Sequence, residues 1–240
     1  MNLVADIGNT TVKLAVYKSE LKEELHRFES LDKNSLNDFI CKHDIDKAII
    51  SSVKDIPGFI TEVLGEKVSF LHILSARSKL PFAIDYETPE TLGSDRIAGI
   101  AGAFMSFPGK DCLIIDAGSA ITFDFLINGR FKGGNISPGI EMRFRALNAF
   151  TGRLPKVQIT STYTFPALNT HDAVAAGVIS GVIYEINECI RTFEQLYDSS
   201  IIIITGGDSG FLKDRIADKP VYMPDIVIDG LNFILEYNAK

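Results

Sequence analysis

Two stretches of the chain, 110 residues apart, repeat one pattern, and that repeat constrains the fold more than any other feature of the 240 residues. Leu3 to Tyr17 reads as a strand, a tight turn at Gly8, and a second strand. Leu113 to Leu126 reads the same way around Gly118. Each copy is an apolar run ending in Asp (Asp6 or Asp116), then Gly with small or hydroxyl-bearing residues, then an alternating apolar strand. Roughly 150 residues per domain places this length at about 1.6 domains, between one and two. The repeat favours two related α/β halves, expected at residues 1–110 and 111–240, over one open sheet.

Hydrophobic residues make up 46% and charged residues 23%, which excludes disorder, collagen, coiled coil and a disulfide scaffold as descriptions of the whole chain. Lys plus Arg is 24 against 31 for Asp plus Glu, a formal charge of −7. No nucleic-acid or membrane partner is expected, so an anionic ligand must be met by a few placed cations and backbone N–H groups. Cys41, Cys112 and Cys189 are far apart and form no metal-ligand spacing, which fits a reducing compartment. The four histidines show no ligand spacing either. No basic region precedes Asp6, so no signal peptide is expected and the protein is placed in the cytoplasm. The uncharged apolar stretch Ala173 to Tyr184 is about half of a membrane span.

Between and after the repeats, strands and helices alternate. Short strands are expected over 48–53 and 67–71, with helices near 35–42 and 57–64. A Gly/Ala-rich helix follows over 94–106. Residues 131–139 are expected to break a hairpin and lead into a helix over 140–148. Apolar spacing predicts a long helix over 172–197, open to interruption at Gly177 or Gly181. A buried strand over 201–204 and a last helix over 227–237 complete the pattern.

Asp6-Ile7-Gly8-Asn9-Thr10 ends a strand in a turn that Gly keeps clear of side chain, which suits a phosphate. Asp6 would act there through Mg²⁺, directly or through water; the plain alternative is a hairpin with a Gly turn. The chain has no P-loop and no dinucleotide fingerprint. With the second copy, Asp116-Ala117-Gly118-Ser119-Ala120, and the late Gly206-Gly207, the set resembles the actin, sugar kinase and Hsp70 superfamily. That likeness implies an α/β fold of two ribonuclease H-like halves closing on ATP. Gly93-Ser94-Asp95-Arg96 opens the Gly/Ala-rich helix. Its N–H groups and Arg96 can grip a carboxylate, and Asp95 can take a proton from an attacking hydroxyl. The alternative is a helix cap with Arg96 in a surface ion pair.

These motifs, with Gly133-Gly134-Asn135-Ile136-Ser137-Pro138-Gly139, Thr151-Gly152-Arg153-Leu154-Pro155 and Thr205-Gly206-Gly207-Asp208, resemble the type III pantothenate kinases in order and spacing over nearly the whole chain. Ser119 stands where that family usually has Thr, and Ala15 where it commonly has Gly. The resemblance implies ATP-dependent phosphorylation of the primary hydroxyl of pantothenate, the first step toward coenzyme A. It implies Asp95 as proton acceptor, and Tyr86, Gly93, Ser94, Asp95, Arg96 and Thr170 as pantothenate-binding residues. Asp6, Ile7, Gly8, Asn9, Thr10, Thr11, Val12 and Lys13, with Ser119, would hold the ATP phosphates. Asp116 would hold a monovalent cation, K⁺ or NH₄⁺, and a homodimer would bring Thr170 to the site from the other subunit. Two other roles stay open: a kinase of the same superfamily acting on a different hydroxyl, and a non-enzymatic accessory factor.

Overall fold

The short apolar runs over 3–5, 113–115 and 202–204 become inner strands of two sheets, covered on both faces. The computed structural model describes residues 1–217 and 219–239. In chain order the elements are β1 (Asn2–Ile7), β2 (Val12–Lys18), β3 (Leu21–Phe28), α1 (Lys33–Ile40), β4 (Lys47–Ser52), α2 (Gly58–Lys67), β5 (Phe70–Ile73) and β6 (Ala83–Ile84). There follow α3 (Ser94–Ser106), β7 (Cys112–Ala117), β8 (Ala120–Ile127), β9 (Arg130–Pro138), α4 (Ile140–Phe150) and α5 (Thr170–Leu196). The chain ends with β10 (Ile201–Thr205), the single turn α6 (Ser209–Leu212), β11 (Val221–Tyr222) and α7 (Ile226–Asn238).

The first unit comprises Met1–Gly109, Gly129–Lys132 and Asp225–Lys240; the second comprises Lys110–Asn128 and Gly133–Pro224. The sheet of the first runs β3-β2-β1-β4-β5. Its first three strands are antiparallel, and β4 and β5 join in parallel. The second sheet contains β9-β8-β7-β10-β11, the same order built around the second copy of the repeat. Both have the strand order of a ribonuclease H-like unit.

Alternation sorts the side chains of β1 and β4. Leu3, Ala5, Ile7, Ala48 and Ile50 join a core with Leu36, Phe39, Ile60 and Leu64 from α1 and α2. The other face carries α3 and α7, which pack on each other and on β4. Their contact depends on two glycines. A Cβ on Gly230 would lie 2.0 Å from the Ala98 carbonyl oxygen, and one on Gly102 would lie 2.3 Å from that of Ile226. Tyr17 reaches across the same layer, its hydroxyl donating to Asp229 Oδ1 at 2.5 Å. This packing counts α7 with the first unit although it is the last element of the chain.

The second unit is built on α5, which runs 27 residues without a break at Gly177 or Gly181. By length and composition this helix could cross a membrane. Its Val174, Val178, Ile179, Val182, Ile186, Ile190 and Phe193 are instead the spine of the unit's core, packed on Leu113, Ile115 and Phe123. Asn169 caps it, accepting from the Asp172 N–H at 2.9 Å.

The expected elements at 48–53, 94–106 and 201–204 lie where the pattern puts them, and others shift. Residues 131–139 are not a break: β9 runs through Gly133, whose φ of 103° only Gly takes at ease. The strand expected over 67–71 begins at Phe70, because α2 continues through Gly65 to Lys67. The antiparallel β3 was not foreseen, since half-exposed LKEELHRF has too few apolar residues to announce a strand. Gly230→Ala should lower stability by at least about 2 kcal/mol through overpacking of α3 on α7, read as a lower midpoint in denaturant unfolding.

Candidate active site

Asp6 is the penultimate residue of the buried strand β1 and lies opposite Lys13 on β2 and beside Ser51 on β4. Lys13 Nζ stands 3.9 Å from Asp6 Oδ2. Burial pushes the Asp6 carboxyl above the usual carboxylate range; Lys13 works against that shift, the charge of Asp95 adds to it, and a hydrogen bond from Ser51 opposes it. Two carboxyl groups from distant positions therefore sense each other in the first unit.

Ser94 fastens the head of α3 to this corner. Its Oγ lies 2.9 Å from Ser51 Oγ, accepts from the Ser52 N–H at 3.1 Å, and lies 3.0 Å from the Ser52 carbonyl. The hydroxyl is thus used inside the protein, and only the backbone of Ser94 is left to meet a ligand. One residue on, the Asp95 carboxylate folds back over the helix head, where Oδ1 accepts from the Arg96 N–H at 2.8 Å. Gly93 makes room for it: a Cβ there would lie 2.5 Å from Asp95 Oδ1. Burial raises the Asp95 carboxyl above its ordinary value, more than the Arg96 N–H, the Arg96 charge and Lys13 lower it. A carboxylate with raised proton affinity is suited to general-base work. Arg96 is buried. Its guanidinium stands 5.7 Å from the centre of the Tyr86 ring and 5.6 Å from that of Phe131.

The turn after Asp6 is closed by the Gly8 N–H donating to the Thr11 carbonyl at 3.0 Å. Asn9 and Thr10 are exposed, and Thr11 is half-buried. Ile7 and Val12 point into the core, so only their backbone can serve a phosphate. Asp6, Lys13, Tyr86, Gly93, Ser94, Asp95 and Arg96 thus gather in the first unit.

In the second unit Asp116 is the penultimate residue of β7, opposite Thr122 and beside Thr205. The Gly118 N–H donates to the Ala120 carbonyl at 3.0 Å, forming the turn that carries Ser119. Gly206 packs against this turn so closely that a Cβ would lie 2.4 Å from both Asp116 Oδ1 and the Ala117 carbonyl oxygen. That corner is rich in oxygen donors, as a cation such as K⁺ requires. Asp208 donates its N–H to the Ala117 carbonyl at 2.8 Å, and its own carboxyl is raised by burial and by the charge of Glu141. Thr170 opens α5 and lines a groove of about 550 Å³ with Arg143, Leu147, Leu154, Val174 and Val178. Arg143 donates to the Pro138 carbonyl at 2.8 Å and pairs with Glu185. Cys112 is buried, its thiol pushed up to about 12 by burial and the charge of Asp111, so it is no nucleophile at neutral pH.

Two residues of the site were not anticipated. Ser51 could have been suspected as a hydroxyl ending an apolar strand beside β1. Phe131 offered no signal among 16 phenylalanines.

Residues 2–192 match the family described as Type III pantothenate kinase. A Type III pantothenate kinase of Bacteroides fragilis strain YCH46 is 39% identical over 241 residues, covering 99% of this chain and 98% of that protein. The chain belongs to the type III pantothenate kinase family. Among solved structures, a Campylobacter jejuni protein described as a conserved Baf family transcriptional activator superposes with a TM-score of 0.62 at 23% identity, covering 99% and 98% of the two chains. A ROK family glucokinase from Streptomyces griseus, in complex with glucose and AMPPNP, gives 0.55 at 12% identity, with 99% of each chain covered. These likenesses show the fold, that of the actin-like sugar kinases. In this type III kinase family member the ribonuclease H-like strand order of both units agrees with them.

The raised Asp95 carboxyl has a consequence for stability. A folded-state pKa above the unfolded value means that its stabilising contribution is present below pH ~3.9 and lost as pH rises through the folded value. Going from pH 3 to pH 8, the unfolding free energy of Asp95→Asn should therefore gain on that of the wild type. Parallel urea titrations across that range measure the difference.

Proposed function

We propose that the protein transfers the γ-phosphoryl group of ATP to the primary hydroxyl of pantothenate, giving 4′-phosphopantothenate and ADP. One observation carries the reading. The strand-end turn bearing Asp6 and the helix head bearing Asp95 and Arg96 are joined through the hydroxyls of Ser51 and Ser94, in a member of this family.

Asp95 takes the proton from the attacking hydroxyl as the new O–P bond forms and the bond from Pγ to the bridging oxygen breaks, leaving ADP. Its raised proton affinity makes it a better acceptor than an ordinary surface carboxylate. Arg96 pairs with the pantothenate carboxylate, with Tyr86 and the backbone of Gly93 and Ser94 around it. The backbone N–H groups of the turn from Asp6 to Lys13, with the Lys13 ammonium, hold phosphates, and Ser119 is a further phosphate contact that the family resemblance implies. Asp6 is suited to hold Mg²⁺ through water. The oxygen-rich corner at Asp116 is suited to K⁺ or NH₄⁺. Both cations supply positive charge against the phosphates, which a chain of net charge −7 can provide only locally. Absence of a His or Cys nucleophile is natural, because phosphoryl transfer depends on positioning and charge neutralisation.

A homodimer in which Thr170 of one protomer serves the substrate site of the other belongs to the same proposal. Supporting it, α4 and α5 carry exposed Met142, Phe150 and Tyr184, and Phe165 and Leu168 are exposed just before α5. Light scattering should give a mass twice that of the 26.4 kDa chain.

A coupled assay for ADP tests the activity. Product should form with pantothenate and ATP in K⁺ or NH₄⁺, and little when Na⁺ replaces them. Asp95→Asn should lower kcat by about 10²–10⁴ with the fold intact. Wild-type turnover by that variant would remove Asp95 as the base, and no product under any cation would remove the kinase reading.

A further inference from the structure

Arg96 is held by more than its own helix. The rings of Tyr86 and Phe131 are parallel to within 7°, with centres 6.1 Å apart. The Arg96 guanidinium is 5.7 Å from one centre and 5.6 Å from the other. The three planar groups therefore stand near the corners of an equilateral triangle, and the cation lies within cation–π range of both rings. Phe131 and Arg96 are both buried, where such a contact is strongest.

Tyr86 and Phe131 are far apart in sequence, and a short ladder brings them together. β6 pairs in parallel with the start of β9, Ala83 with Arg130 and Ile84 with Phe131. The Asp85 N–H extends the ladder, donating to the Phe131 carbonyl at 2.9 Å. Successive side chains of an extended strand point to opposite sides. On one side, Asp85 meets the two neighbours of Phe131: it accepts from Arg130 Nε at 2.8 Å, from a second Arg130 nitrogen, and from Lys132 Nζ at 2.8 Å. On the other side, Tyr86 meets Phe131. The ion cluster on the outer face thus clamps the pair of rings on the inner face.

We propose that Phe131, held by the Asp85–Arg130–Lys132 clamp, is a positioning residue that presents Arg96 to the acceptor's carboxylate and so sets a preference for an acid over a neutral acceptor. This rests on the reading that Arg96 binds the carboxylate of pantothenate. An Arg side chain has many rotamers, and ordering it on binding would weaken affinity. Two ring faces order it beforehand. An aliphatic side chain in place of Phe131 would fill the space but offer no ring face.

The test is steady-state kinetics of the full chain with two acceptors, pantothenate and pantothenyl alcohol, in which a neutral alcohol replaces the carboxylate. The wild type should prefer the acid. In Phe131→Leu the KM for pantothenate should rise about five- to tenfold, with kcat, the KM for ATP and the KM for the alcohol each within about twofold of wild type. Asp85→Asn, a change at an exposed carboxylate, should move the same constant in the same direction by less, and it decides the matter if Phe131→Leu does not fold. An equal rise for both acceptors would make Phe131 a packing residue only and overturn the proposal, as would an unchanged pantothenate KM in the variants. A wild type that does not distinguish acid from alcohol would overturn the assignment of Arg96 itself, and is seen before any variant is made.

Discussion

A single serine hydroxyl couples the two halves of the chemistry in the first unit. Ser94 Oγ meets Ser51 Oγ and the backbone of Ser52 at the end of β4, and Ser51 in turn bonds Asp6. Without that joint the head of α3 would be located only by apolar contact, which is non-directional. With it, Asp95 and Arg96 are held relative to the Asp6 turn. The hydroxyls are buried, so their bonds are made in a low-dielectric setting where leaving one unmade is costly. Rigidity at the helix head is therefore a consequence of burial as much as of bonding.

The electrostatics follow from the same geometry. Burial raises both Asp6 and Asp95, and each feels Lys13. Within a chain of net charge −7, Lys13 stands beside the Asp6 carboxyl, and the charges of Arg96 and Lys13 act on that of Asp95. Arg96 is presented by ring faces from Tyr86 and Phe131, while the exposed Asp85 spends its charge on Arg130 and Lys132 instead. Those hydrogen bonds hold the Asp85 carboxyl far below the ordinary range. Acidic groups in one unit are thus pushed in opposite directions by desolvation and by pairing.

Much of this was legible in the sequence. The two strand–turn–strand copies announced themselves because an apolar run ending in Asp-x-Gly combines a buried strand with a local turn signal. Gly93-Ser94-Asp95-Arg96 was legible as a helix head, since its residue types and the Gly/Ala run after it are all local. β3 was not, because its eight residues alternate weakly and find their place by pairing with β2. Nor was β9, where Gly133 and Gly134 read as a turn but lie within a strand. The inward role of the Ser94 hydroxyl was hidden for a related reason. A Ser at a helix start reads as a cap or a ligand contact, and nothing local shows that β4 lies against it.

The sequence by itself determined the duplicated α/β plan, the turns at Gly8 and Gly118 and the helix head at Gly93. Each of these depends on neighbours within a few residues, through periodicity, turn chemistry and the space a glycine leaves. Tertiary structure decided the rest. It counted the last helix with the first unit, because Gly102 and Gly230 let α3 and α7 approach to backbone contact. It brought Ser51 to Asp6 by parallel strand pairing, and Phe131 to Tyr86 by a ladder of two residue pairs. The joint of Ser51 with Ser94 links positions 43 residues apart, and the close approach of Gly230 to Ala98 links positions 132 apart. No local pattern encodes which distant surface will cover a strand end, since that is settled only when the whole apolar surface is buried at once.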